Sequence, residues 1–121
     1  SQKLIDIATE EAFKIDRLEY NFVNSEKMSS LNKDILNHDT DTDIITFDYS
    51  ESKTIIAEVF ISSEMMIKNA SENMQSIENE SFRLLSHGLL HCMGYKDNTL
   101  EEKAIMRKKE EEFIFAVSRE T

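Results

Sequence analysis

The segment Ser86-His87-Gly88-Leu89-Leu90-His91-Cys92-Met93-Gly94-Tyr95-Lys96-Asp97 gathers the side chains of this 121-residue chain that are best suited to chemistry. Two of the chain's three histidines stand there four residues apart. On a helix, that spacing puts them about one turn apart on one face, so both imidazoles reach a common point. Zinc, with nitrogen ligands at roughly 2.0–2.1 Å, is the natural occupant of such a point. Gly94 follows His91 by three residues, where a left-handed residue can end the helix and turn the chain back. That reversal offers Asp97 as a third ligand, since a carboxylate oxygen binds zinc at about 2.0–2.2 Å. Three protein ligands leave a fourth position for water, and zinc can bring the pKa of that water to about 7. The expectation is a hydrolytic site in which His87, His91 and Asp97 hold one zinc per chain. Imidazole and carboxylate also suit nickel, cobalt, iron and copper.

A helix and a turn must position these residues, and the rest of the chain supplies a frame for them. Proline is absent and glycine occurs only at Gly88 and Gly94, so no linker or low-complexity tail is evident. Apolar spacing predicts helices over Leu4 to Phe13, Met28 to Leu36, Glu64 to Met74 and Glu78 to Met93. Alternation and β-branched content predict strands over Leu18 to Val23, Ile44 to Tyr49 and Thr54 to Ser62, with a turn at 37–41. Thr99 and Glu102 form a capping box that opens a last helix running to about Val117. The pattern is α+β: a small mixed sheet packed with helices, its central helix carrying the His-x-x-x-His motif in a zincin-like manner. Residues 1–121 are expected to form one metal-dependent hydrolase domain.

Composition narrows the function. The formal charge of −10 lacks the basic footprint usual for nucleic-acid binders, although charge can be segregated. The acidic run Glu110 to Glu112 is read as a solvated helix face. No apolar stretch approaches the roughly 18 residues of a membrane span, and no secretory signal pattern is visible. The single cysteine, Cys92, excludes an intrachain disulfide framework and suits a reducing compartment.

The spacing of His87, His91, Gly94 and Asp97 matches the metzincin proteases, but those carry a general-base Glu directly after the first histidine, where Gly88 stands here. With that glycine, the segment resembles the YbeY family of bacterial endoribonucleases, whose signature runs His-Gly-x-Leu-His-Leu-x-Gly-Tyr-Asp-His. The matching residues are His87, Gly88, Leu90, His91, Gly94 and Tyr95. The likeness extends through Leu31-Asn32, His38-Asp39, Thr42 to Phe47 and the strand Ala57 to Ser62. It continues into Glu101, Met106, Glu110 and Glu111, and so spans Leu31 to Phe113. It implies a cytoplasmic, zinc-dependent, single-strand-specific endoribonuclease that matures the 3′ end of small-subunit ribosomal RNA and takes part in ribosome quality control. It also implies single-stranded RNA and the ribosome as partners, with no membrane and no DNA. Three positions depart from the pattern: Asp97 stands where the family usually has a third histidine, Leu36 where an arginine is common, and Ala57 where glycine is common.

Other residues are weighed against that expectation. Glu58 either orients water near the metal or faces solvent as the polar member of an alternating strand. His38 is read as a surface turn residue and Cys92 as a small core residue. Met65, Met66, Met74, Met93 and Met106 are read as core filler. Phe13, Phe22, Phe47, Phe60, Phe82 and Phe113 are read as core, which leaves Tyr49 and Tyr95 as possible stacking platforms. A cationic path for RNA would draw on Lys68, Arg83, Lys96, Arg107, Lys108 and Lys109, with Arg83 one turn before His87 and so projecting near the metal face. The rival readings are a metzincin-like metallopeptidase and a non-catalytic, zinc-stabilised ribosome-binding domain.

Overall fold

A computed structural model describes residues 2–34 and 42–118. Along the chain run α1 (Gln2–Glu10), β1 (Lys14–Val23), α2 (Ser25–Asp34), β2 (Ile44–Asp48), β3 (Thr54–Ser62), α3 (Ser63–Glu72), α4 (Ile77–Cys92) and α5 (Leu100–Ser118). The turn expected at 37–41, Leu36 and His38 lie outside the described residues.

Strand β3 is the centre of a mixed sheet ordered β1-β3-β2, parallel to β1 and antiparallel to β2. Its alternation explains its place. Ile55, Ala57, Val59 and Ile61 point to one face and are all but fully buried, while Ile56, Glu58 and Phe60 point to the other and are half-buried. Helix α4, which carries His87 and His91, lies against the first face. Leu84, Leu89 and Leu90 are fully buried, each stabilising the fold by about 1.5–3 kcal/mol through loss of apolar surface to water. Gly88 sits where α4 comes closest to the sheet. A Cβ built there would lie 3.3 Å from both methyls of Val59 and 3.6 Å from Ile44 Cδ1. The Tyr20 hydroxyl donates to the carbonyl of Leu85 at 2.6 Å and ties β1 to the turn of α4 before His87.

Helix ends are set by local chemistry. Ser76 caps α4, its hydroxyl accepting from Asn79 N–H at 3.0 Å, and the capping box of α5 is present with Thr99 and Glu102 each accepting from the other's N–H at 3.0 Å. Three helices end in the same hydrogen-bonded reversal, with a left-handed residue two places beyond the last helical one. In α4 that residue is Gly94 (φ 98), and Tyr95 N–H returns to Leu90 O at 3.0 Å. In α1 it is Ala12 (φ 63) and in α3 it is Met74 (φ 53).

These reversals correct two expectations. Helix α1 stops at Glu10 rather than Phe13, because Phe13 N–H turns back to Ala8 O. Helix α3 stops at Glu72, and Met74 is not core: the reversal carries it outward until it is 91% exposed. Strand β1 starts four residues earlier than its apolar pattern suggested, because parallel pairing with β3 reaches Lys14 opposite Thr54. Phe22 is half exposed rather than core, since it lies on an edge strand that only β3 flanks among the described residues. Phe47 and Phe60 pair edge to face at 5.7 Å on the outer face of the sheet.

Candidate metal centre

Helix α4 presents His87 and His91 on one face, their rings 4.7 Å apart and nearly perpendicular. The reversal at Gly94 then brings Asp97 back over them. His87 Nε2 lies 3.5 Å from Asp97 Oδ2, and His91 Nε2 lies 3.7 Å from Asp97 Oδ1. One ligand atom from each of the three falls within 4.8 Å of the other two, and among the described residues this trio forms the group able to hold a metal ion. Nitrogen and oxygen in a direct hydrogen bond stand about 2.7–3.2 Å apart, so these separations are too long for that. Two atoms bound at about 2.1 Å to one tetrahedral centre stand about 3.4 Å apart, close to what is seen. The donor set therefore fits a divalent cation of zinc's size and preference.

The far side of His87 is held by a residue whose role the sequence did not reveal. His87 Nδ1 lies 2.6 Å from Oε2 of Glu110, which projects from α5 and is 2% exposed. An ionised carboxylate only accepts, so Nδ1 carries a hydrogen and, in the neutral ring, Nε2 is the nitrogen left to bind on the Asp97 side. Glu110 is thus no part of a solvated face. The available signal was its place on the stripe Met106, Glu110, Phe113, all buried and spaced four and three apart. His91 is kept neutral: burial, then the neighbouring His87, lower its pKa from 6.5, and Asp97 only partly offsets them. Neutral imidazole is the form that binds metal.

Arg83 is engaged by three carboxylates of the protein itself. Its guanidinium meets Glu80 at 2.6 Å, Asp43 at 3.4 Å and Glu110 at 3.7 Å, and Asn69 donates to the same Asp43 oxygen at 3.1 Å. Three other cationic candidates border three different hollows. Lys68 borders a hollow beside α2 and α3, Arg107 one beside Glu80 and Glu110, and Lys109 one between α1 and α5. Glu58 lies on the face of β3 opposite Val59 and so points away from the metal helix. Cys92 is core: burial, then Asp48, push its thiol up to about 12, and it is not among the convergent ligands. Tyr95 is half-buried and its hydroxyl donates to Glu11 at 2.7 Å, tying the metal turn to α1. Tyr49 is 58% exposed. Beside His91, an open cleft of about 290 Å³ is walled by Ile44, Thr46 and Asp48 of β2.

Comparison with known proteins agrees with this geometry. The family model described as Endoribonuclease YbeY matches residues 1–118. A protein of that name from Cytophaga hutchinsonii is 45% identical over 106 residues, 87% of this chain and 74% of the relative. One from Flavobacterium johnsoniae is 42% identical over 97 residues, 80% of this chain and 70% of the relative. The solution structure of a Thermotoga maritima protein superposes with a TM-score of 0.69 at 25% identity, covering 98% of this chain and 81% of that one. With the family match running nearly end to end and the two-histidine helix set on its sheet, the chain belongs to the endoribonuclease YbeY family.

Proposed function

We propose that this chain is a metal-dependent endoribonuclease, one hydrolase domain over residues 1–121, with His87, His91 and Asp97 as the ligands of a single zinc. The observation that carries the proposal is the convergence of those three side chains within 4.8 Å, in a chain of a family named for endoribonuclease activity. Bound zinc would supply Lewis-acid polarisation of a phosphoryl oxygen and an acidified water. The protein's own residues do the positioning. Glu110 fixes the His87 ring, Gly94 allows the turn that delivers Asp97, and β2 walls the cleft where a strand of RNA meets His91. An aspartate in place of the family's usual histidine adds one negative charge. That charge makes the metal less electrophilic and its water less acidic.

Single-stranded RNA is the substrate class, and maturation of the 3′ end of small-subunit ribosomal RNA, on or near the ribosome in the cytoplasm, is the setting the family resemblance supports. No helix among the described residues is long and apolar enough to cross a membrane. The peptidase alternative is opposed by packing as well as sequence. Position 88 faces Val59 and Ile44 at contact distance, so a glutamate there would enter the sheet interface instead of addressing water at the metal. A purely structural zinc is opposed by the ligand count, since such sites are normally closed by four protein ligands.

The test is metal content by mass spectrometry on protein purified without added metal, for the parent and for His91→Ala. About one zinc per parent chain, lost in the variant, with zinc-dependent cleavage of single-stranded RNA, is expected on a three-ligand zinc site. A folded parent that takes up no zinc refutes the ligand assignment. A zinc-loaded parent inert toward RNA refutes the catalytic role.

A further inference from the structure

We propose that Arg83 is a positioning residue that sets both walls of the active cleft, acting through Glu110 on the metal-facing His87 and through Asp43 on strand β2. The inference rests on the metal-site reading above. Glu110 uses its two oxygens differently: Oε2 takes the His87 Nδ1 hydrogen at 2.6 Å, while Oε1 faces Arg83 Nη1 at 3.7 Å. The second contact is an ion pair too long for a hydrogen bond, so Arg83 biases the orientation of Glu110, and through it the His87 ring, by charge. The same guanidinium grips Glu80 through Nε and Nη2, at 3.0 and 2.6 Å. Without Arg83, two glutamates only 2% exposed would lose the guanidinium that ion-pairs with both.

The second arm runs to the substrate side. Asp43 immediately precedes β2, its carbonyl accepts from Ser62 N–H at 3.0 Å where the sheet begins, and its carboxylate is gripped by Arg83 and by Asn69 of α3. Strand β2 then supplies Ile44, Thr46 and Asp48 to the cleft beside His91. One guanidinium thus spans α4, α5 and the start of β2. A planar, multidentate cation suits that task, and a lysine ammonium, which acts as a point charge, does not.

Four variants and two readouts test this: zinc affinity by chelator competition, and the His87 tautomer by ¹⁵N imidazole NMR on zinc-free protein. Glu110→Gln and Arg83→Ala should each weaken zinc binding about 10–100-fold, with the double variant no worse than the weaker single, because both act along one line. In zinc-free Arg83→Ala, His87 should lose its uniform Nδ1–H form, and Arg83→Lys should recover it only in part. If Arg83→Ala does not fold, Arg83→Lys carries both readouts. Unchanged affinity and tautomer in a folded Arg83 variant, or losses that add in the double variant, would overturn the proposal. Should the parent bind no zinc, the ligand assignment fails by itself, and the zinc-free His87 tautomer still decides the role of Arg83.

Discussion

Replacing Gly88 by alanine tests how closely α4 must approach the sheet. The added methyl would stand 3.3 Å from both Cγ atoms of Val59, a residue with no solvent exposure. Favourable carbon–carbon contact lies at about 3.5–4.0 Å, so both methyls must give by a few tenths of an ångström. Valine is stiff about χ1 and cannot swing one methyl away without driving the other inward. Overpacking of this kind costs about 1–3 kcal/mol. Alanine in place of glycine inside a helix returns about 0.8–1.0 kcal/mol. The net expectation is a loss of about 0–2 kcal/mol, a range too close to zero for the single variant to decide the matter. A double-mutant cycle decides it. Val59→Ala alone should cost about 1–3 kcal/mol through lost burial and a cavity. Combined with Gly88→Ala it should cost less than the sum, by about 0.5–2 kcal/mol, because the new methyl enters the space Val59 vacates. Urea denaturation followed by far-UV circular dichroism on zinc-free protein measures this without the added stabilisation of bound metal. Additivity within about 0.3–0.5 kcal/mol, or a Gly88→Ala protein stabilised by the full helix-propensity gain, would refute the close-approach argument.

Gly94 makes the opposite case, because nothing lies within 4 Å of a Cβ there and only its φ of 98° matters. Gly94→Ala should lose about 1–2 kcal/mol from backbone strain alone, read as a lower urea midpoint, and an unchanged midpoint would contradict it. His91 gives a pH signature in zinc-free protein. Its pKa is lowered from 6.5 on folding, so the unfolded chain takes up that proton first. The stability it contributes is fully present above 6.5 and is lost as pH falls through 6.5 toward the lower folded value. His91→Gln should remove that component, and a pH profile identical to the parent's would argue against the assignment. Cys92, with its thiol pushed up to about 12, should resist a disulfide reagent at pH 8 in folded protein and react once unfolded. Rapid labelling of the native state would show that the thiol is not held in the core.

Much of the site was legible without coordinates because its geometry is local. A four-residue spacing on a helix brings His87 and His91 together wherever the helix packs, and a glycine three residues later can reverse the chain toward Asp97. The capping box of Thr99 and Glu102 and the alternation of β3 are local in the same sense, and both are present. Periodicity says which residues share a face, but not what that face meets. The sequence therefore left Glu58 undecided until the sheet turned it away from α4. It placed Met74 inside until the reversal after α3 turned it out. It also took Glu110 for solvated surface and offered Arg83 only as one candidate for a cationic path. Glu110 lies 23 positions from His87, and Arg83 lies 40 from Asp43, separations at which no helical or strand period operates. Only the docking of α5 and of the start of β2 against α4 joined them. By excluding water from two glutamates and pairing them with one guanidinium, that docking made an acidic helix into the support of the His87 ring.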